Sequence, residues 1–211
     1  MSTRICLIRH GETDWNVARR MQGHTDIPLN STGRAQACRL AASLADEHFA
    51  AIYTSDLLRA RQTAEAVAHR FALHVQPEPG LRERNYGGFQ GLTYDEAKAK
   101  YPDVYARFEQ RITTDAFPGG GESLEMFFER VRQTLTAIAE RHPDADILVV
   151  CHGGVLDMVH RIAAALPLTR KRDFPIGNAT VNWLEYDQGR WVILAWDERS
   201  HLDDSLDELP T

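Results

Sequence analysis

The feature that most constrains this chain is an unbroken apolar run, Ile147-Leu148-Val149-Val150-Cys151. It is β-branched, bounded by Asp146 and by His152-Gly153-Gly154, and of the length of one strand rather than of a helix. A strand with no polar side must be covered on both faces, so its sheet needs helices above and below. A membrane span would need roughly 20 such residues, and none of the apolar runs approaches that. Arg4 to Ile8 has the same character and also ends abruptly, in Arg9-His10-Gly11.

The remaining segments alternate in kind. Ala51–Thr54 reads as a third strand and His74–Gln76 as a weaker one ending at Pro77 and Pro79. Helical spacing marks Arg34 to Glu47, with Ala35, Cys38, Ala41, Ala42 and Ala45 as its expected inner face, and then Leu57 to Phe71. Ser123 offers an N-cap to a helix with the stripe Leu124, Phe127, Phe128, Val131, Leu135 and Ile138, reaching His142. A helix is expected after His152, and closing strands at Ala179–Tyr186 and Trp191–Trp196. The alternation predicts an α/β fold: a three-layer α/β/α sandwich whose mixed sheet is mostly parallel, with helices on both faces. The length of 211 residues suits a single domain, 1–211. Its glycine-dotted stretch at about 81–121, with one or two short helices between Tyr94 and Arg111, is expected to form a cap or insertion over the sheet.

Composition narrows the function classes. With 43% hydrophobic and 26% charged residues the chain can bury a core, which excludes disorder. Its 24 Lys+Arg against 30 Asp+Glu give a net charge of -6, unfavourable for non-specific nucleic-acid binding. Only four consecutive apolar residues, Ile5 to Ile8, precede Arg9, too few for a secretory signal, so a cytoplasmic location is expected and no membrane partner. Cys6, Cys38 and Cys151 cannot all pair, and they sit among apolar neighbours as reduced packing thiols do. No CxxC or Cys/His ligand spacing occurs, so no metal is expected. All the cations except Lys98, Lys100 and Lys171 are arginine, whose planar fork suits bidentate anion contacts.

Open α/β sheets bind ligands at the carboxyl ends of their strands. Two such ends carry His-Gly, and a third, Thr54-Ser55-Asp56, runs into Arg59 and Arg61 on the first turns of a helix, where the dipole favours anions. Arg9, His10, Arg59 and His152 should therefore converge, with arginine forks matched to phosphate oxygens.

These residues carry a resemblance. Leu7-Ile8-Arg9-His10-Gly11-Glu12-Thr13 with Trp15-Asn16 resembles the signature of the histidine phosphatase superfamily, which includes the cofactor-dependent phosphoglycerate mutases. Gln22-Gly23, Asp26-Ile27-Pro28-Leu29, Ser55 to Ala64, Leu81-Arg82-Glu83, Gly121-Glu122-Ser123 and His152-Gly153-Gly154 follow in the family's order. The resemblance implies that His10 takes the phosphoryl group as nucleophile. Arg9, Arg59 and His152 would form the catalytic phosphate pocket, and Glu83 would be the general acid. It further implies substrate contacts from Asn16, Gln22, Gly23, Tyr86 and Gly153, beside Arg9, Arg59 and His152. Neutral imidazole is a nucleophile at pH 7, and phosphoryl transfer depends mostly on positioned positive charge. A carboxyl group among cations needs burial, or a nearby dianion, to act as an acid near pH 7.

Other residues keep two readings. Arg61, Arg82 and Arg84 are either a rim attracting anions or solvated surface groups; Gln22 and Thr13 either line the mouth or face solvent. Glu12 is expected to orient its loop or to bond a pocket residue. His24 fits no cluster, and the acidic tail, with Asp203, Asp204, Asp207 and Glu208, is expected to lie away from the pocket.

The same histidine chemistry serves hydrolysis and mutase activity. Glu83-Arg84-Asn85-Tyr86-Gly87 resembles the mutases, but Gly91-Leu92-Thr93 is followed by Tyr94 where they carry a substrate-binding lysine. The segment from Tyr86 to Ser123 is also shorter than theirs and lacks their paired arginines. The expected activity is a phosphomonoester hydrolase acting on a small phosphorylated metabolite, binding inorganic phosphate as product, with no cofactor. The alternative is a mutase using 2,3-bisphosphoglycerate, and the other-class alternative a non-catalytic module binding phosphorylated ligands. A monomer or homodimer is expected.

Overall fold

A computed structural model describes residues 2–203 and 206–208. Six strands form one sheet: β1 (Thr3–Arg9), β2 (Ala51–Thr54), β3 (Val75–Pro77), β4 (Asp146–Cys151), β5 (Val181–Asp187) and β6 (Arg190–Glu198). Their order is β3-β2-β4-β1-β5-β6, with the first four parallel and β5 and β6 antiparallel to their neighbours. This is the expected mixed, mostly parallel α/β sheet. Ile8, Val150 and Thr54 stand in one register row, so three adjacent strands release the chain at one edge of the sheet.

Alternate strand residues feed two cores. Ile5, Leu7, Ile147 and Val149 pack under α6 (Leu124–Glu140) and α7 (Gly153–Ala163). Cys6, Ile8, Leu148, Val150 and Ile52 pack under α2 (Ser31–Ser43) and α3 (Leu58–Phe71). Each fully buried aliphatic side chain is worth about 1.5–3 kcal/mol, so both helical layers are needed to cover β4. Helix α6 follows its predicted stripe and is capped by Ser123, whose hydroxyl accepts from the Met126 N–H at 3.1 Å.

Helix α2 departs from its expected face. Its buried residues are Gly33, Gln36, Ala37, Leu40 and Ala41, whereas Ala35, Ala42 and Cys38 are exposed. Cys38 is thus a surface thiol, not a packing residue, while Cys6 and Cys151 are buried. Alanine scarcely distinguishes the two faces, and Leu40 decides the phase. Gln36 is drawn inward because its side-chain oxygen accepts the Glu12 N–H at 2.8 Å.

Between Leu81 and Gly121 lie α4 (Tyr94–Lys100) and α5 (Pro102–Glu109), with Pro102 opening α5. Phe89, Phe117, Tyr105, Ala97 and Met21 bury one another in a separate cluster beside the strand ends.

Candidate active site

The backbone at the end of β1 is pinned from several sides. The His10 N–H donates to Cys151 O at 2.9 Å, Asn178 Nδ2 donates to His10 O at 2.9 Å, and the Gly11 N–H donates to Thr63 Oγ1 at 3.0 Å. Gly11 is required here, because a Cβ would run into the backbone of Gly33. His10 Nδ1 lies 2.7 Å from Gly11 O. A carbonyl can only accept, so Nδ1 carries the proton and Nε2 is left as the basic nitrogen. Burial, then the guanidiniums of Arg59 and Arg9, hold the imidazole well below its usual pKa, hence neutral at pH 7.

His152 leaves the adjacent strand and is the N-cap residue of α7. Its ring stands edge-on to that of His10 with centroids 5.2 Å apart. It is wholly buried, and neither ring nitrogen has a hydrogen-bond partner among the described residues. Burial first, then Arg59 and His10, also keep it neutral.

The two arginines are held by carbonyls. Arg59, near the start of α3, donates from Nη2 to Gly23 O at 2.8 Å and from Nη1 to Thr25 O at 2.9 Å. Burial lowers its pKa to about 10, so it remains a cation. Arg9 donates from Nη1 to Ile176 O at 2.9 Å and Leu206 O at 3.1 Å. The Nε of each is buried without a partner among the described residues. Backbone carbonyls orient a guanidinium without cancelling its charge; Arg59 is held by carbonyls alone, whereas Arg9 also meets the Glu208 carboxylate at Nη2, 2.6 Å away.

Glu83 completes the floor. Its Oε1 accepts the Arg84 N–H at 2.7 Å and its Oε2 the Gly154 N–H at 2.9 Å. Burial, then the carboxylate of Glu208, raise its pKa, outweighing those two hydrogen bonds and Arg59. The burial that the sequence reading required of an acid at this position is present.

The mouth is built by α1 (Asp14–Val17), a short helix. Thr13 and Asn16 form its capping box, with Asn16 Oδ1 accepting from Thr13, which turns the Asn16 amide nitrogen away from the cap. Trp15, Asn16, Arg19, Arg20, Met21, Gln22, Tyr86 and Tyr94 line the cavity above Arg9, His10, Arg59 and Glu83. Gly23 contributes its carbonyl to Arg59, and its positive φ of 50° and the nearby Gln90 side chain exclude a Cβ. Gly153 opens α7 and does not line the cavity itself; the Glu208 carboxylate lies where its Cβ would be.

Three expectations change. Arg61, Arg82 and Arg84 do not line the cavity: Arg61 pairs with Glu65 at 3.4 Å, Arg82 forks onto Asp56 at 2.5 and 2.7 Å, and Arg84 is buried against Glu122 O and the Phe117 ring. Arg19 and Arg20, which the sequence reading passed over, are the cations at the mouth. His24 is tied to the site, its Nε2 lying 2.9 Å from Glu83 O. Glu208 of the acidic tail reaches into the pocket, with Oε2 2.6 Å from Arg9 Nη2, whereas Asp204 lies outside the described residues. Asp203 stays outside, 2.6 Å from Arg39. Glu12, as expected, orients its loop by accepting from Asn30 Nδ2 at 2.8 Å.

A buried histidine pair between two carbonyl-braced arginines, with a carboxyl group of raised pKa, at the strand ends of an α/β sheet defines an enzyme site for a small anion. The chain belongs to the histidine phosphatase superfamily (branch 1), whose model matches residues 5–199. It is 40% identical over 204 residues to phosphoglycerate mutase-like protein 4 of Arabidopsis thaliana, covering 95% of this chain and 87% of that one. It is 38% identical over 203 residues to a metal-independent phosphoserine phosphatase of the same plant, covering 95% and 83%. Among solved structures it is similar to YhfR of Bacillus stearothermophilus, with a TM-score of 0.86 and 34% identity over 94% of this chain and 98% of that one.

Proposed function

We propose that the protein is a phosphomonoesterase in which Nε2 of His10 attacks the phosphorus of a small phosphorylated metabolite. The single observation that carries this reading is His152: a wholly buried imidazole with neither nitrogen partnered among the described residues, beside His10 and two braced guanidiniums. Buried polar groups nearly always have partners, and a phosphoryl oxygen would supply one here.

The oxygens of the bound group are gripped by Arg9, Arg59 and His152, with the Asn16 amide and Gln22 at its edge. Gly23 acts by bracing Arg59, Gly153 by leaving room at the helix start, and Tyr86 by contacting the rest of the substrate. His10 forms the N–P bond as the ester P–O bond breaks, and Glu83 gives its proton to the departing alkoxide. Carboxylate again, Glu83 then takes a proton from water, which attacks phosphorus and releases inorganic phosphate and free His10. No metal is invoked: the similarity to a metal-independent phosphatase supports that.

Hydrolysis is favoured over mutase chemistry by the mouth. A mutase must retain a bisphosphorylated intermediate, but Arg20 is neutralised by Glu96 at 2.6 Å, and Tyr94, Asp207 and Glu208 stand where further cations would be needed. No helix among the described residues is long and apolar enough to cross a membrane.

The test incubates 3-phosphoglycerate, phosphoserine and a panel of monoesters with the enzyme, with and without 2,3-bisphosphoglycerate. Phosphate release independent of that cofactor is expected. Cofactor-dependent formation of 2-phosphoglycerate faster than phosphate release would make the protein a mutase, and inertness on the whole panel a binding module.

A further inference from the structure

Residues Leu206–Glu208 do not trail from the surface. Asn178 N–H donates to Leu206 O at 3.1 Å and Glu208 N–H to Ile176 O at 3.0 Å, an antiparallel bridge between Gly177 and Asp207. Asp207 Oδ1 accepts the Ile176 N–H at 2.5 Å, and Arg172 donates to Glu208 O. Arg9 contributes a further bond to Leu206 O at 3.1 Å. The strap so formed carries the Glu208 carboxylate onto Arg9 Nη2 at 2.6 Å.

The position of that carboxylate is specific. Arg9 is almost wholly buried and its Nη1 is spent on carbonyls, so Nη2 is the edge it offers to an anion. The carboxylate lies against the start of α7 as well, where a Cβ on Gly153 would collide with it. It is felt electrostatically by both Glu83 and Arg59. A carboxylate presents to a guanidinium the same two-oxygen edge as a phosphoryl group.

We infer that the strap Leu206–Glu208 is an internal competitor of the substrate: Glu208 occupies the Arg9 edge of the phosphate site, and a phosphorylated ligand binds only when the strap lifts. This rests on the pocket being a phosphate site. If only one molecule in ten has the strap lifted, apparent affinity falls about tenfold, since binding is reduced by the competent fraction. The strap thereby sets a threshold of substrate concentration, and anything that holds the tail elsewhere would lower it.

The test uses the full chain and inorganic phosphate as probe, titrated by calorimetry into wild type, E208Q and D207A. E208Q removes the competing charge; D207A keeps it but loses the clamp on Ile176, and Asp207 is half exposed, so neither change threatens the fold. The expected result is about a tenfold tighter phosphate dissociation constant for E208Q and a smaller gain for D207A, with KM for a monoester falling in parallel and kcat held. Unchanged or weaker phosphate binding in both variants overturns the strap, and weaker binding in E208Q would make Glu208 a supporting residue of the site. Hydrolysis assayed on the same samples judges the phosphatase reading separately, because phosphate binding requires no turnover.

Discussion

The floor and the mouth of the pocket are held by different means. On the floor, Arg9, His10, Arg59, Glu83 and His152 are buried, all but the loop residue Glu83 issue from strand ends or helix starts, and all but the His152 ring are tied by hydrogen bonds to the backbone. At the mouth, Trp15, Asn16 and Arg19 stand on or just after a four-residue helix, Arg19 is exposed in a left-handed conformation with φ 53°, and Tyr86 and Tyr94 come from the aromatic cluster. Groups fixed before the substrate arrives lose little on orienting it, so the floor should carry the rate. Exposed groups on short elements adapt, so the mouth should carry selectivity.

Breaking the floor should therefore cost turnover, and His10→Ala should cost most, lowering kcat by roughly 10⁴-fold or more, as loss of a covalent nucleophile does. A variant retaining a tenth of wild-type activity in a discontinuous phosphate assay would remove His10 from the centre of the account. Glu83→Gln should lower kcat by about 10²–10⁴-fold with the fold intact by circular dichroism. The pH profile sharpens the same point. Attack needs neutral His10, whose pKa is depressed, so the acid limb lies below the ordinary histidine value of about 6.5. Leaving-group protonation needs protonated Glu83, whose pKa is raised, so kcat/KM falls as pH rises through it. That basic limb should be missing in E83Q, and its persistence would assign the acid elsewhere.

Changing the mouth should move KM alone. Arg19→Ala is expected to raise KM about two- to fivefold for monoesters bearing a second anionic group, an exposed charge contact being worth at most about 1 kcal/mol. It should leave phenyl phosphate unaffected, and an equal loss on both substrates would deny the mouth its selective role. Away from both regions, Ser123→Ala should cost about 1 kcal/mol of stability in urea unfolding through the lost cap of α6, without altering either kinetic constant.

How much of this was legible depended on how local its cause is. β4 runs from Asp146 to Cys151 as the apolar run implied, because burial on both faces leaves its mark in every residue. The convergence of Arg9, His10, Arg59 and His152 followed from strand ends, and the register row of Ile8, Val150 and Thr54 realises it. Helix α1 escaped notice since four residues show no period, although Thr13 and Asn16 carry its capping box. The face of α2 was misjudged because its alanines are silent about burial. Glu83 was visible only through the family's pattern, its burial arising from α7 and the segment around Arg84. Glu208 had no local signal at all: its partners Arg9 and Ile176 are distant in the chain, and nothing in an acidic tail distinguishes a docked carboxylate from a solvated one.

The account stands or falls on where the phosphoryl group goes. Glu83→Gln mixed with a labelled monoester, quenched at alkaline pH and mapped by mass spectrometry should carry phosphate on the peptide containing His10, at Nε2. Phosphate on any other residue, or single-turnover release of phosphate with no labelled protein at any time, would contradict it.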